Sequence, residues 1–193
     1  MRAGTVFDNP LTGQRAVLVT GPEETGGRWF AAEWTIAPRS GRDGVPAHLH
    51  PSTDETFILH IGRARFSLDG TEHDLLAGQK VVLPAGVPHI HPWNVGDERL
   101  LYTQRADSRV PALREINAAL EGLQTIFGLA REGRTDARGN PSALQLAVIG
   151  HAMMPGTYLA RPPVPVQRAL LPIVAGLGRL LGYRAVYPRH AAA

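Results

Sequence analysis

Along the first half of the chain the apolar positions come in short runs with a period near two, broken by turn chemistry. Val17-Leu18-Val19, Trp29 to Ile36, Thr56 to Ile61, Ala64 to Leu68, Lys80 to Leu83 and Arg99 to Thr103 are β-type runs. Between them sit Gly26-Gly27, Pro38 to Gly44, Asp69-Gly70 and Pro84-Ala85-Gly86. Asp69-Gly70 signals a hairpin, because a two-residue primed turn needs positive φ at its centre. Many short strands at close intervals predict a sandwich or barrel.

After about Arg105 the period changes. Leu113, Ile116, Leu120, Leu123 and Phe127 recur at three and four residues, the stripe of a helix, with Pro111 suited to its first turn. Arg131 to Asn140 is polar and loop-like. Asn140-Pro141, a capping residue and a residue that needs no amide donor, predicts a second helix running to about Met154, where Pro155-Gly156 stops it. Pro172 interrupts a third apolar segment, Val166 to Leu181, which predicts a kink or two short helices. The expected organisation is a β-barrel domain over residues 1–107 and a helical C-terminal extension over 108–193, packed on the barrel or on a partner subunit. Arg168 and Arg179 bracket only ten residues of the uncharged segment, whereas a spanning helix needs ~20. A transmembrane span is therefore not expected, and an interfacial helix is the lesser alternative to a packed tail.

Composition narrows the function classes. The 193 residues fit one domain with an appendage. With no cysteine, disulfides and thiolate metal ligands are excluded. Met1 to Val6 lacks an apolar signal core, so a cytoplasmic protein is expected. Of the twenty basic residues Lys80 is the only lysine, and the arginines are dispersed without aromatic interleaving. Nucleic-acid binding is not expected.

The chemistry lies in two clusters. His48 and His50, two apart on a strand, share a face. Pro51-Ser52-Thr53-Asp54 then turns the chain and returns Glu55 on the neighbouring strand. His89 follows the tight Pro84-Ala85-Gly86 turn. Three imidazoles and one carboxylate suit a borderline divalent ion.

Glu55 to Gly62 and Gly78 to His89 resemble, nearly position for position, the two sequence motifs of the cupin superfamily. The resemblance covers roughly residues 5 to 107. The first motif's opening Gly is replaced by Arg42, between Gly41 and Gly44, and the second motif's closing Asn comes one residue late, at Asn94. The resemblance implies a mainly β fold, a double-stranded β-helix (jelly-roll) barrel, and a small metal-binding cupin with ligands at His48, His50, Glu55 and His89. The metal would be Fe, Mn, Zn or Ni, since nitrogen and oxygen donors do not distinguish them. It also implies homodimerisation, which the apolar tail favours.

Around this set, His91 is a candidate for a supporting or substrate-facing role, although Pro92 disturbs its strand. Phe57 and Leu59 share the face of Glu55, and Trp34, Trp93 and Tyr102 are candidates for an aromatic wall; for each, core packing outweighs ligand contact. His60 alternates outward, and His73, His151 and His190 are expected to be exposed. An apolar wall points to a small, partly apolar ligand. Three readings follow: a metal-dependent oxygenase in which Glu55 doubles as a base, a non-catalytic binding or sensing module, and a sugar isomerase or epimerase. Lys80, at the start of a strand, is poorly placed for the third.

Overall fold

A computed structural model describes residues 1–43 and 46–190 of the chain; Gly44 of the first motif lies outside them. In chain order the elements are β1 (Val6–Asn9), β2 (Gln14–Thr20), β3 (Trp29–Ile36), β4 (His48–Leu49), β5 (Thr53–Ile61), β6 (Arg63–Leu68), β7 (Thr71–Leu76), β8 (Lys80–Leu83), β9 (His89–Asn94) and β10 (Leu100–Ser108). There follow α1 (Leu113–Arg131), α2 (Ala143–Met153), β11 (Tyr158–Leu159), α3 (Val164–Leu180) and a 3-10 turn at Pro188–His190.

Two antiparallel sheets face each other. One has the order β1-β2-β3-β10-β5-β8, the other β11-β4-β9-β6-β7. This is the sandwich or barrel expected from the strand pattern, in the jelly-roll form that the resemblance implies. Asp69 and Gly70, joining β6 to β7, both have positive φ (49° and 80°), as a two-residue primed turn requires. Alternation on β5 buries Glu55, Phe57 and Leu59 and leaves Ile58 and His60 exposed. On β10 the same alternation turns Tyr102, Gln104 and Ala106 inward.

The turn after His50 does something other than expected. β4 and β5 are not hydrogen-bonded neighbours: β4 belongs to the five-stranded sheet and β5 to the six-stranded one. Residues 51 and 52 carry the chain across the barrel, so Glu55 meets the histidines from the opposite wall. Asn94, the late residue of the second motif, is buried and donates to the carbonyls of Ile36, Ala37 and Glu98. It closes the barrel end, away from any ligand position.

The helices share the barrel's core. Ile116, Leu120 and Phe127 of α1 belong to the same buried cluster as Trp34, Phe57, Leu59 and Tyr102, and Phe127 packs edge-on against Trp34 at 6.5 Å between centroids. Three expectations are corrected here. The cap of α2 is Ser142, whose side chain accepts from the Gln145 amide, so Asn140-Pro141 precedes the helix instead of starting it. α3 continues through Pro172 as one helix from Val164 to Leu180; Pro172 removes one amide donor, and the chain keeps its helical course around it. His190 is buried, not exposed: its ring packs on Gly128 of α1, and its Nε2 lies 2.8 Å from Glu132 Oε1. Among the described residues no helix is long and apolar enough to cross a membrane.

Candidate metal centre

Three strands and the turns beside them deliver the cluster. His48 on β4 and His89 on β9 are register partners in one sheet, and Glu55 projects from β5 in the other. The two motif turns are tied together: the Ala85 amide donates to Asp54 Oδ1 at 2.7 Å and the Gly86 amide to the His50 carbonyl at 2.8 Å. His48, His50, Glu55, His89 and His91 each bring one donor atom into a group whose members lie within 4.8 Å of one another, so the group could hold a metal ion.

The outer nitrogens determine what the inner ones can do. Nδ1 of His48 lies 2.8 Å from the Pro46 carbonyl, Nδ1 of His89 2.9 Å from the Val87 carbonyl, and Nδ1 of His50 3.2 Å from the Gly156 carbonyl and 3.1 Å from Thr157 Oγ1. A carbonyl only accepts, so in each neutral ring the proton sits on Nδ1 and the Nε2 lone pair faces the cluster. Nε2 of His89 is buried without a hydrogen-bond partner, although Glu55 Oε2 is 3.0 Å away. Glu55 Oε2 also lies 3.8 Å from His50 Nε2. Lone pairs pointed at a carboxylate oxygen in a dry interior repel unless a cation stands between them. The donor set therefore fits a divalent ion.

Electrostatics points the same way. Burial, reinforced by the neighbouring imidazoles, holds the His48 pKa well below the ordinary value, and burial outweighs Glu55 to lower that of His50. Burial pushes the Glu55 carboxyl up, but the facing His91, His50 and His89 more than offset it and hold it well below the usual range. Two neutral imidazoles and an ionised carboxylate are the protonation state a metal requires. Burial lowers His89, but the Glu55 carboxylate beside it outweighs burial and raises it, so at that ring a proton would compete with an ion.

His91 joins the cluster: its Nε2 lies 2.8 Å from Glu55 Oε2, and its ring is 5.6 Å from that of His89 and nearly parallel to it. Pro92 does not break β9, so the two-residue alternation carries His91 inward beside His89. The other wall candidates are deeply packed. Phe57 contacts His91 and Tyr102 at 5.0 and 5.6 Å between centroids, Leu59 is fully buried, Trp34 stacks on Tyr102 at 6.0 Å, and Trp93 lies beneath the Arg42 guanidinium. Burial, then the Glu55 charge, raises the Tyr102 phenol well above its usual pKa.

Three contributors, Gln104, Gly156 and Thr157, lie outside the sequence-based expectations. Gln104 donates to Glu55 Oε1 at 2.7 Å and accepts from Trp34 Nε1 at 2.7 Å, fixing the carboxylate. Extending the last strand past Thr103 would have found it, since Gln104 alternates with Tyr102 and Ala106. Gly156 and Thr157, which hold His50, lead into β11, and β11 pairs with β4 through Tyr158–Leu49 and Leu159–His48. No local pattern marks them.

A β-barrel with a buried histidine–carboxylate cluster is the class that fold and site define. Residues 33–103, within the barrel, match the family model described as a cupin domain. Over 66 residues it is 32% identical to quercetin 2,3-dioxygenase of Bacillus subtilis (strain 168); the match covers 34% of this chain and 20% of that protein. The chain thus spans about a fifth of the length of that curated relative. Among solved structures, a predicted oxalate decarboxylase from Thermotoga maritima is similar at a TM-score of 0.46 and 18% identity, over 54% of this chain and 92% of the other. The Schizosaccharomyces pombe Cnp3 cupin domain is similar at 0.43 and 12%, over 49% and 64%.

Proposed function

We propose that this protein is a metal-dependent oxygenase acting on a small, partly apolar molecule. In this reading Nε2 of His48, His50 and His89 and the Glu55 carboxylate hold one divalent ion, of which Fe, Mn, Ni and Zn all suit the donors. The observation that carries it is the convergence of donor atoms from His48, His50, Glu55, His89 and His91 within 4.8 Å of one another, with the Nδ1 atoms of His48, His50 and His89 turned to acceptors. A redox-active ion held there would supply electron transfer between an organic substrate and dioxygen. Gln104 keeps Oε1 of Glu55 occupied, so Oε2 is the oxygen that would ligate the ion and, once a substrate displaces the carboxylate, accept a proton from an acidic substrate hydroxyl. His91, against that same oxygen, is placed to share the proton, and the Phe57 ring beside it offers an apolar surface. The partial likeness to a quercetin dioxygenase supports the reaction class. The test is oxygen consumption by Fe-, Mn- and Ni-loaded protein with flavonol, catechol and diketone panels. Turnover lost in His48→Ala is expected; no consumption with any substrate would overturn the oxygenase reading.

A binding or sensing role is the second reading, and it is favoured by the contact of residues 156 and 157 with His50, through which the C-terminal region reaches the centre. Metal loading with retained ligand binding and no turnover would select it. The isomerase reading gains nothing, since Lys80 is exposed on β8. Homodimerisation is supported by the apolar outer face of α3, where Ile173, Leu177 and Leu180 are 71%, 53% and 86% exposed. Light scattering of wild type and Ile173→Glu tests it: a dimer reduced to monomer is expected, and a monomeric wild type overturns it.

A further inference from the structure

Away from the cluster, β11 and the three helices border a cleft of about 630 Å³ whose lining includes Arg114, His151, Met154, Tyr158, Arg168 and Arg179. Among the described residues no carboxylate lines it. Arg114, Arg168 and Arg179 make no ion pair among those residues, and neither do several arginines elsewhere on the surface; what sets these three apart is that they line one cleft. Neutral groups hold two of the three: Arg168 Nε donates to the Tyr158 hydroxyl at 2.9 Å, and Arg179 Nη2 to His151 Nδ1 at 2.9 Å. The sequence contains no Asp or Glu beyond Asp136, so the C-terminal segment that builds most of the cleft carries no acidic side chain to neutralise these charges.

We propose that this cleft binds a small organic anion, a carboxylate or a phosphate ester. Guanidinium groups present planar forks of donors that match both anions bidentately. Three of them around one cleft, with no carboxylate among the described residues that line it, repel one another, and an anion relieves that repulsion. Met154 gives the wall an apolar portion for the ligand's hydrocarbon part. An anion at Tyr158 also touches β11, the strand paired with β4 of the metal centre. The site does not depend on the oxygenase reading.

The test is calorimetric titration of metal-depleted full-length protein, at low ionic strength, with inorganic phosphate and separately with succinate. Saturable binding of at least one anion is expected, with Kd raised at least about tenfold in Arg168→Gln/Arg179→Gln. Arg138→Gln, at an exposed arginine outside the cleft, should leave Kd unchanged. If the double variant unfolds, Arg114→Gln on α1 serves as the second probe, with the same loss expected. No saturable heat with either anion, unaltered binding in the cleft variants, or an equal loss in Arg138→Gln would overturn the site. Metal loading of the same variants, measured separately, is expected to match wild type, so failure here and failure of the metal centre are read apart.

Discussion

The imidazole of His50 is held by the carbonyl of Gly156, 106 residues further along the chain, with the hydroxyl of Thr157 at the same nitrogen. A candidate ligand on the barrel is thus oriented by the extension, through the short strand that pairs with β4. Thr157→Val removes one of the two Nδ1 partners while keeping the side chain's shape. Loss of a supporting partner of a ligating histidine typically costs 10–100-fold in metal affinity. Because Gly156 remains, we expect a loss of about tenfold in competitive metal titration, with circular dichroism unchanged. Equal affinity would mean that this contact does not orient the ring.

Gln104 bridges Trp34 and Glu55. Gln104→Leu removes the acceptor of the buried Trp34 Nε1 and the donor to Glu55 Oε1. An unsatisfied buried group costs ~1–3 kcal/mol, and burial of a less well-satisfied carboxylate adds to it. A lower denaturation midpoint in the metal-free protein is expected, together with weaker metal binding. A variant as stable as wild type would show that the bridge is dispensable.

How far these features were legible in the sequence depends on whether a signal is local. The β-runs, the Asp69-Gly70 turn and the inward face of β5 follow from alternation and turn chemistry within a few residues, and His48, His50, Glu55 and His89 follow from motif spacing. β7 carries no local signal, because Thr71-Glu72-His73-Asp74 alternates nothing apolar and only pairing with β6 makes it a strand. Pro92 obscures the inward face of His91 by removing a donor, yet the strand continues since its other residues still pair with β6. The support of His50 from Gly156 is a tertiary contact, invisible to any window on the chain.

Phe127 ties the extension to the barrel, being fully buried and edge-on to Trp34. If the helices formed an independent unit, Phe127→Ala would loosen that unit alone. Sharing one core predicts instead that the whole chain loses about 3–5 kcal/mol in one transition. Tryptophan fluorescence, which follows the barrel, and far-ultraviolet dichroism, which follows the helices, should give coincident unfolding curves at a lower midpoint. Separated curves would establish two units.

Glu132, at the C-terminal end of α1, accepts from Arg189 and His190 of the final 3-10 turn. Arg189 and then His190 hold its carboxyl far below the usual range. A carboxylate whose pKa is lowered by folding stabilises the native state fully above its unfolded value, near 4.5. That stability drains away as pH falls from there toward the folded pKa, because the unfolded state then binds the proton first. Glu132→Gln should therefore melt below wild type at neutral pH, with the gap in Tm closing as the buffer is taken from about pH 5 to pH 3. The pair is partly exposed, so the gap at neutral pH should also narrow in high salt. A gap that stays constant across both series would assign the effect of the substitution to packing against His190 and not to charge.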